Sequence, residues 1–338
     1  MMIIMKDGAT EEQIEHVVDR LESVGAQAHV SRGKYKTVIG AIGDREKFIT
    51  LPWEAFAGVE KAVPILKPFK LVSREFKPED SIIEVGPLKV GGDQFAVMAG
   101  PCSVETEKLL IDTAKLIKKE GGSVLRGGAF KPRTSPYSFQ GLGIEGLKML
   151  AAAREETGLP VVTEVMDPRD VEVVGEYADI MQIGARNMQN FLLLKEVGQQ
   201  KKTILLKRGF CNTIEELLMA AEYIVSGGNS SVILCERGIR TFETFTRNTL
   251  DISAIPSVHS LSHLPIIVDP SHASGRSELI ESLSLAALAA GADGIMVEVH
   301  PKPEEAWCDG PQSLDFNGFA HLMRQVKSLA TSIGKKLD

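Results

Sequence analysis

Residues 203–238 read TILLKRGFCNTIEELLMAAEYIVSGGNSSVILCERG, one full period of the chain's main pattern. An apolar strand core around Ile204 runs into Lys207. Thr213 then caps IEELLMAAEYIV, with Glu215 and Glu216 in the first turn and glycine just past the end. A second apolar core follows around Ile233, so strand, helix and strand make one βαβ unit. Working outward, similar cores lie near Val97, Val124, Val161, Ile180, Ile267 and Ile295. Their mean spacing of about 28 residues suits a strand, a crossover helix and two turns. Ser277 leading into ELIESLSLAALAAG is another legible helix. Eight such units predict an α/β fold of the (β/α)8 TIM-barrel type over residues 81–338. A doubly wound open sheet is the alternative, but eight successive parallel strands in ~250 residues favour closure.

Residues 1–65 keep a different rhythm. MMIIM is a short apolar strand. Thr10 and Gln13 stand at capping-box spacing ahead of Ile14, Val17, Val18, Leu21 and Val24, an amphipathic helix closed by Gly25. QAHVS and TVIGAIG read as strands joined by a turn at Arg32-Gly33-Lys34, a second short helix follows Asp44, and residues 59–65 are strand-like. The order β-α-β-β-α-β predicts a small α+β ferredoxin-like domain, a sheet with one face under two helices. Residues 66–80 carry Pro68 and Pro78 among alternating charges and read as an exposed linker.

The 338 residues include 38 Lys and Arg against 45 Asp and Glu, a net charge of −7, with 43% apolar and 25% charged residues. Such proportions exclude a disordered or fibrous chain. The negative balance argues against nucleic acid as a partner. The longest apolar run, residues 283–290, is far short of the ~20 needed to span a bilayer, so no membrane partner is expected. The first residues lack an export signal, which makes a cytoplasmic location the expectation. There Cys102, Cys211, Cys235 and Cys308 are thiols rather than a disulfide framework.

Barrel enzymes carry their reactive groups on the loops after the strands. In chain order those positions hold Cys102, Arg126, Glu164, Arg186, Lys207, Arg237, His272 and Glu298. Adding Lys131, Arg133 and Arg276 gives a predicted mouth with seven cations, whose ligands should be strongly anionic. One Lys or Arg near a strand end is ordinarily a solvated surface residue; seven at matching positions need another reason. The loop LRGGAFKPRTSPYSFQG (125–141) has the features of a phosphate and carboxylate clamp. Its glycines admit close approach, its Arg forks bind oxyanions, Thr134 and Ser135 add hydroxyls, and Pro132 and Pro136 stiffen it.

Cys102, His272, Glu298 and Asp309 bring together a sulfur, an imidazole and two carboxylates from strands 1, 7 and 8, which are neighbours in a closed barrel. That is a divalent metal site with a mixed donor set, open to Mn²⁺, Fe²⁺, Zn²⁺ or Cu²⁺. Taken singly, a free Cys is usually a small buried hydrophobe; the four together are not so easily dismissed. His29, His259, His263 and His300 read as structural or surface residues, with His263 at the wrong end of its strand. Cys235 reads as core, and Cys308 as part of an exposed loop. No Ser/His/Asp triad or dinucleotide glycine fingerprint is present.

Six blocks, AGPCSVE (99–105), 125–141, IGARNMQN (183–190), LLKRG (205–209), DPSHASGR (269–276) and VEVHPKPEEAWCDGPQSL (297–314), occur in order at fitting intervals. Together they resemble the 3-deoxy-D-arabino-heptulosonate 7-phosphate (DAHP) synthase family, and residues 1–65 resemble the ferredoxin-like regulatory extension of some members. The resemblance implies condensation of phosphoenolpyruvate with erythrose 4-phosphate, the entry to the shikimate pathway of aromatic amino acid biosynthesis, with a divalent metal. It implies Cys102, His272, Glu298 and Asp309 as metal ligands. Arg126, Lys131, Arg186, Lys207 and Arg237 would hold phosphoenolpyruvate, and Ala185 is a further implied substrate-binding residue. Arg133, Thr134, Ser135 and Arg276 would hold the phosphate of erythrose 4-phosphate, with Pro132 shaping the loop. Lys131, together with Cys102 and His272, forms the implied catalytic set.

A tyrosine or phenylalanine effector on the front domain and a homodimer or homotetramer complete the expectation. The sister family, 3-deoxy-D-manno-octulosonate 8-phosphate synthase, carries a KANRS-like loop where this chain has Lys131-Pro132-Arg133-Thr134-Ser135, which favours the four-carbon aldose. A non-catalytic aromatic amino acid sensor would have lost ligands at the mouth, and none is lost.

Overall fold

Thr10 and Gln13 close the expected capping box at the start of the first helix. The computed structural model describes residues 1–33, 36–43, 47–63, 68–133 and 135–337, in two units, Met1–Lys70 and Leu71–Asp338. In the first, β1 (Met2–Met5), β2 (Gln27–Arg32), β3 (Thr37–Ile42) and β4 (Val59–Val63) form an antiparallel sheet of order β2-β3-β1-β4. Helix α1 (Glu11–Ser23) lays Ile14, Val17 and Leu21 into a core with Ile3, Met5 and Ile39. Crossing from β1 to β2 with β3 between them is the split βαβ arrangement.

The expected second helix is where the structure differs. Among the described residues that stretch is helical only in 3₁₀ form, at Lys47 and over Trp53–Ala55, the latter preceded by Pro52. Phe48 and Trp53 are buried there, and the Trp53 indole N–H donates to the Phe48 carbonyl at 2.7 Å. Aromatic bulk, rather than a helical stripe, closes that part of the core. The expected turn at Lys34, the helix start after Asp44 and the strand end at Ile65 lie outside the described residues.

The expected exposed linker is also corrected from Leu71 onward. The backbone N–H groups of Leu71 and Val72 both donate to the Glu222 carboxylate at 3.0 Å, Val72 and Ser73 are buried, and Arg74 donates to the His259 carbonyl at 2.9 Å. Buried backbone polar groups need partners, and this segment finds them on the barrel. A hairpin absent from the sequence reading follows, β5 (Ile83–Val85) and β6 (Leu88–Val90).

The strands β7 (Ala96–Gly100), β8 (Val124–Arg126), β9 (Val161–Val165), β10 (Ile180–Ile183), β11 (Thr203–Lys207), β12 (Val232–Glu236), β13 (Ile266–Val268) and β14 (Gly294–Glu298) are parallel and close in chain order into a barrel. Side chains two apart point inward, as Ala96 and Met98 or Ile233 and Cys235 do. The inward set joins Ile83, Val85, Leu88 and Val90 of the hairpin in one core, so the hairpin stops the end where the strands begin.

Around the barrel run α2 (Glu107–Glu120), α3 (Ile144–Thr157), α4 (Val171–Tyr177), α5 (Phe191–Gly198), α6 (Ile214–Ser226), α7 (Ala254–Leu261), the short α8 (Pro270–Ser274), α9 (Ile280–Ala289) and α10 (Phe316–Ile333). Thr213 caps α6 and Glu216 returns the bond. Ser277 instead starts a 3₁₀ turn, and α9 begins at Ile280 without a side-chain cap. Among the described residues no helix is long and apolar enough to cross a membrane.

Candidate active site

The strand ends deliver charge to the other mouth of the barrel. Arg126, Lys207 and Glu298 are the last residues of β8, β11 and β14, and Arg237 follows β12 directly. Cys102 lies two residues past β7, Ala185 and Arg186 lie in a 3₁₀ turn after β10, and His272 lies in α8 after β13. Gly100 makes this possible: at φ 152 it passes so close to β8 that a Cβ would stand 2.0 Å from the Arg126 carbonyl oxygen.

A cavity of about 270 Å³ opens here, lined by Arg126, Lys131, Arg133, Arg186, Lys207 and Arg237 together with Pro132, Ser135 and Ala185. Thr134 lies outside the described residues. Arg276 is the one expected cation that does not line the cavity. Its guanidinium stacks on Phe245 at 4.2 Å and pairs with Glu278 at 3.2 Å. Arg247 lines the cavity instead. It sits well beyond the end of β12, so a search of strand ends passes over it.

Like charges this close need compensation. The Phe210 ring lies under the guanidiniums of Arg186, Arg237 and Arg240 at 5.2, 4.8 and 5.4 Å, and its electron-rich face attracts all three. Lys207 pairs with the buried Asp269. Burial alone would raise the Asp269 carboxyl, but His272 and Lys207 hold it well below the usual carboxylate range.

Glu164, on β9, lines the same cavity. Its Oε2 accepts from Gln182 Nε2 at 3.3 Å, while its Oε1 is buried and has no hydrogen-bond partner among the described residues. Burial raises this carboxyl, and the nearby Lys131, Lys207, Arg126 and Arg186 only partly offset it. Gly184 leaves the room: a Cβ there would lie 2.0 Å from Oε1. The sequence places Glu164 after its strand core, but nothing local marks its oxygen as unpaired.

Beside the cavity, Cys102, Glu298 and Asp309 offer ligand atoms all within 4.8 Å of one another. His272 reaches this group through Nε2, 3.4 Å from Glu298 Oε1. The order β13-β14-β7 in the barrel makes their strands neighbours, as expected. Cys102 Sγ donates to Asp309 Oδ2 at 3.3 Å, and Lys131 Nζ donates to the Cys102 carbonyl at 2.9 Å and its sulfur at 3.0 Å. Burial pulls the Lys131 ammonium down, yet Cys102 and Glu298 leave its pKa raised, so it is charged.

The His272 ring donates through Nδ1 to Asp269 at 2.7 Å, and burial lowers its pKa despite Asp269. A neutral ring tied this way turns an unprotonated Nε2 toward a carboxylate oxygen. With a thiol and a second carboxylate adjacent, the four residues fit a divalent cation, and the Asp269 bond is the outer-shell contact such ligands need.

Cys308 departs from its expected exposed loop, since it is buried and Arg133 donates to its sulfur at 3.2 Å. The neighbouring Cys102, supported by Ser103, Lys131 and Arg133, brings its pKa down to about 6 against the effect of burial. Cys102 in turn is raised well above the usual thiol value by its proximity to Cys308 and by burial. Cys235 is core, as read. So is His263, held between Ser81 Oγ and the Leu71 carbonyl at the far end of the barrel.

These features belong to a (β/α)8-barrel enzyme whose cation-lined cavity lies beside a thiol, imidazole and carboxylate cluster. Residues 78–333 match the DAHP synthetase I family, and residues 1–67 match the DAHP synthase ferredoxin-like domain. The chain belongs to the DAHP synthetase I family. It is 55% identical, over all of both chains, to the phospho-2-dehydro-3-deoxyheptonate aldolase of Thermotoga maritima. The crystal structure of the Thermotoga maritima enzyme superposes with a TM-score of 0.80 at 54% identity, covering 100% of this chain and 99% of that one. The 2-dehydro-3-deoxyphosphooctonate aldolase of Geobacter sulfurreducens is 32% identical over 73% of this chain and 97% of its own length.

Proposed function

We propose that this chain is a transferase that condenses phosphoenolpyruvate with D-erythrose 4-phosphate and water, giving DAHP and phosphate. The observation that carries this reading is one cavity in which the cations following β8, β10, β11 and β12 meet the donor cluster. Arg126, Lys131, Ala185, Arg186, Lys207 and Arg237 are assigned to phosphoenolpyruvate. Arg133, Thr134 and Ser135 are assigned to the aldose phosphate, and Arg276, now turned to Phe245, can join them only by leaving that ring.

A divalent cation such as Mn²⁺, Fe²⁺ or Zn²⁺, held by Cys102, His272, Glu298 and Asp309, supplies Lewis-acid polarisation of the aldehyde oxygen when bound. The protein's own groups do the rest. The guanidiniums place C3 of phosphoenolpyruvate against the aldehyde carbon, which removes much of the entropic barrier to a reaction between two bound anions. As the C–C bond forms, C2 becomes cation-like and water adds there. Glu164 Oε1, unpaired and with a raised pKa, is the group assigned to take that water's proton before phosphate leaves by C–O cleavage. Lys131 Nζ, which is charged, is assigned to proton delivery at the developing alkoxide.

The aldose assignment rests on the Lys131-Pro132-Arg133 loop and on full-length likeness to the Thermotoga maritima protein, whereas the octulosonate relative aligns with only 73% of the chain. Product formation from phosphoenolpyruvate with erythrose 4-phosphate, compared with arabinose 5-phosphate, tests it. A faster rate with the five-carbon aldose overturns the assignment.

The ferredoxin-like unit is assigned to feedback by tyrosine or phenylalanine, in a cytoplasmic homodimer or homotetramer. What supports this is its match to the family's ferredoxin-like domain. Initial rates of the full chain unchanged by either amino acid would overturn that part alone.

A further inference from the structure

Three of the four donors are gripped from one short segment of the loop between β12 and α7. The backbone N–H groups of Arg247 and Asn248 donate to the carbonyls of Ser274 and Ala273 at 2.9 and 2.8 Å, and Asn248 Nδ2 donates to the His272 carbonyl at 3.1 Å. The Arg247 guanidinium leaves this anchored backbone and donates through Nη1 to Gln312 Oε1 at 2.9 Å, with Asp309 Oδ1 at 3.7 Å. Gln312 is 3% exposed, and its Nε2 donates to Glu298 Oε2 at 2.7 Å. The other Glu298 oxygen accepts from Arg126 at 2.8 Å.

Asp309 is the residue most in need of such support. At φ 52 it is, among the described residues, the one non-glycine in the left-handed region. That conformation persists only where its surroundings over-determine it. The 3₁₀ turn Gly310–Gln312 follows it at once, and the Gln312 N–H returns to the Asp309 carbonyl at 3.2 Å. Gln312 therefore ties the strained Asp309 loop to Glu298, and Arg247 ties both to the segment that holds His272.

We infer that Arg247 and Gln312 are positioning residues that preset the donor cluster and thereby fix its affinity for a divalent cation. The inference rests on the metal-site part of the proposed function. A carboxylate whose oxygens are each held by a directed donor loses little freedom on ligating, and outer partners of this kind are worth about 10–100-fold in metal affinity. Arg247 also lines the cavity, so the rival role is a substrate contact, and the two roles separate in a binding measurement made without substrate.

The test is Co²⁺ titration of the metal-stripped, full-length protein, read by the thiolate-to-cobalt absorption band that Cys102 would give. Gln312→Leu and Arg247→Met are expected to keep the band and weaken Co²⁺ by about 10–100-fold, and Arg247→Lys to recover most of the loss. Should Gln312→Leu lower the unfolding temperature sharply, Arg247→Met, whose side chain is 38% exposed, decides the matter. Wild-type Co²⁺ affinity in Arg247→Met, with only the KM for a substrate raised, overturns the inference. A wild-type protein that gives no band would instead overturn the metal site itself.

Discussion

The two ends of the barrel bury charge in opposite ways. At the foot, the buried groups Asp293 and His263 are paired and have no task left. Asp293 takes Lys335 at 3.2 Å and the Ile266 N–H at 2.9 Å, and His263 is bonded on both ring nitrogens, with Lys77 donating to the Ser81 hydroxyl that serves one of them. Above them the hairpin adds only Ile83, Val85, Leu88 and Val90. At the mouth, among the described residues, Glu164 keeps a free oxygen, Arg126 keeps an unbonded Nε, and Asp309 is held in strain. Unpaired buried groups cost stability, so the closed foot carries the fold while the mouth is kept ready for ligands. The same strands build both ends, and the contrast can be tested at each.

The largest effect belongs to the donor cluster. Chelation of the full-length protein should abolish DAHP synthesis, and Mn²⁺ should restore it. Cys102→Ala should lower kcat/KM on the order of 1000-fold with little change in unfolding midpoint. Full activity after chelation would break the comparison at its strongest point. At the foot, Ile233→Ala should cost about 3 kcal/mol in a urea titration and leave the KM for phosphoenolpyruvate unchanged. A raised KM with intact stability would show that the two ends are not separable.

Glu164→Gln should lower kcat on the order of 100-fold while changing KM little. Gly184→Ala should mimic it by forcing the carboxylate aside. A change in KM alone would assign Glu164 to binding. Thr213→Ala, remote from both ends, should cost about 1 kcal/mol through the lost α6 cap and nothing in activity.

The smallest effect at neutral pH is at His263. Burial lowers its pKa from the ordinary 6.5, so the folded state binds the proton more weakly than the unfolded chain. Its contribution to stability is therefore complete above 6.5 and is lost as the pH falls through the depressed folded value. An asparagine side chain has no proton to exchange in this range, so His263→Asn should flatten the pH dependence of the unfolding midpoint below pH 6.5. An unchanged slope would show that the ring is not held neutral.

Much of this was legible in the chain. The period of strand and helix, the Thr213 cap and the placement of Cys102, Arg126, His272 and Glu298 after their strands depend on residues close in sequence. The misreadings have one physical cause. Residues 71–80 look solvated because their prolines and charges are local facts, whereas the bonds to Glu222 and His259 are made about 150 and 185 residues away. Cys308 looked exposed beside Asp309 until Cys102 and Arg133 closed over it. Arg276 and Arg247 exchanged places because a long side chain's direction is set by its neighbours, here the Phe245 ring for one and Gln312 for the other.

The strand and helix order of the barrel, and the kinds of atom available at its mouth, follow from the chain alone. Short-range physics, in caps, apolar period and turn chemistry, is written directly in the chain. Which of those atoms meet, which oxygen of Glu164 is left without a partner among the described residues, and which side chains hold Glu298 and Asp309 in place are set by the folded barrel. Those outcomes depend on burial and on bonds closed across the whole barrel, and no window of sequence contains both partners.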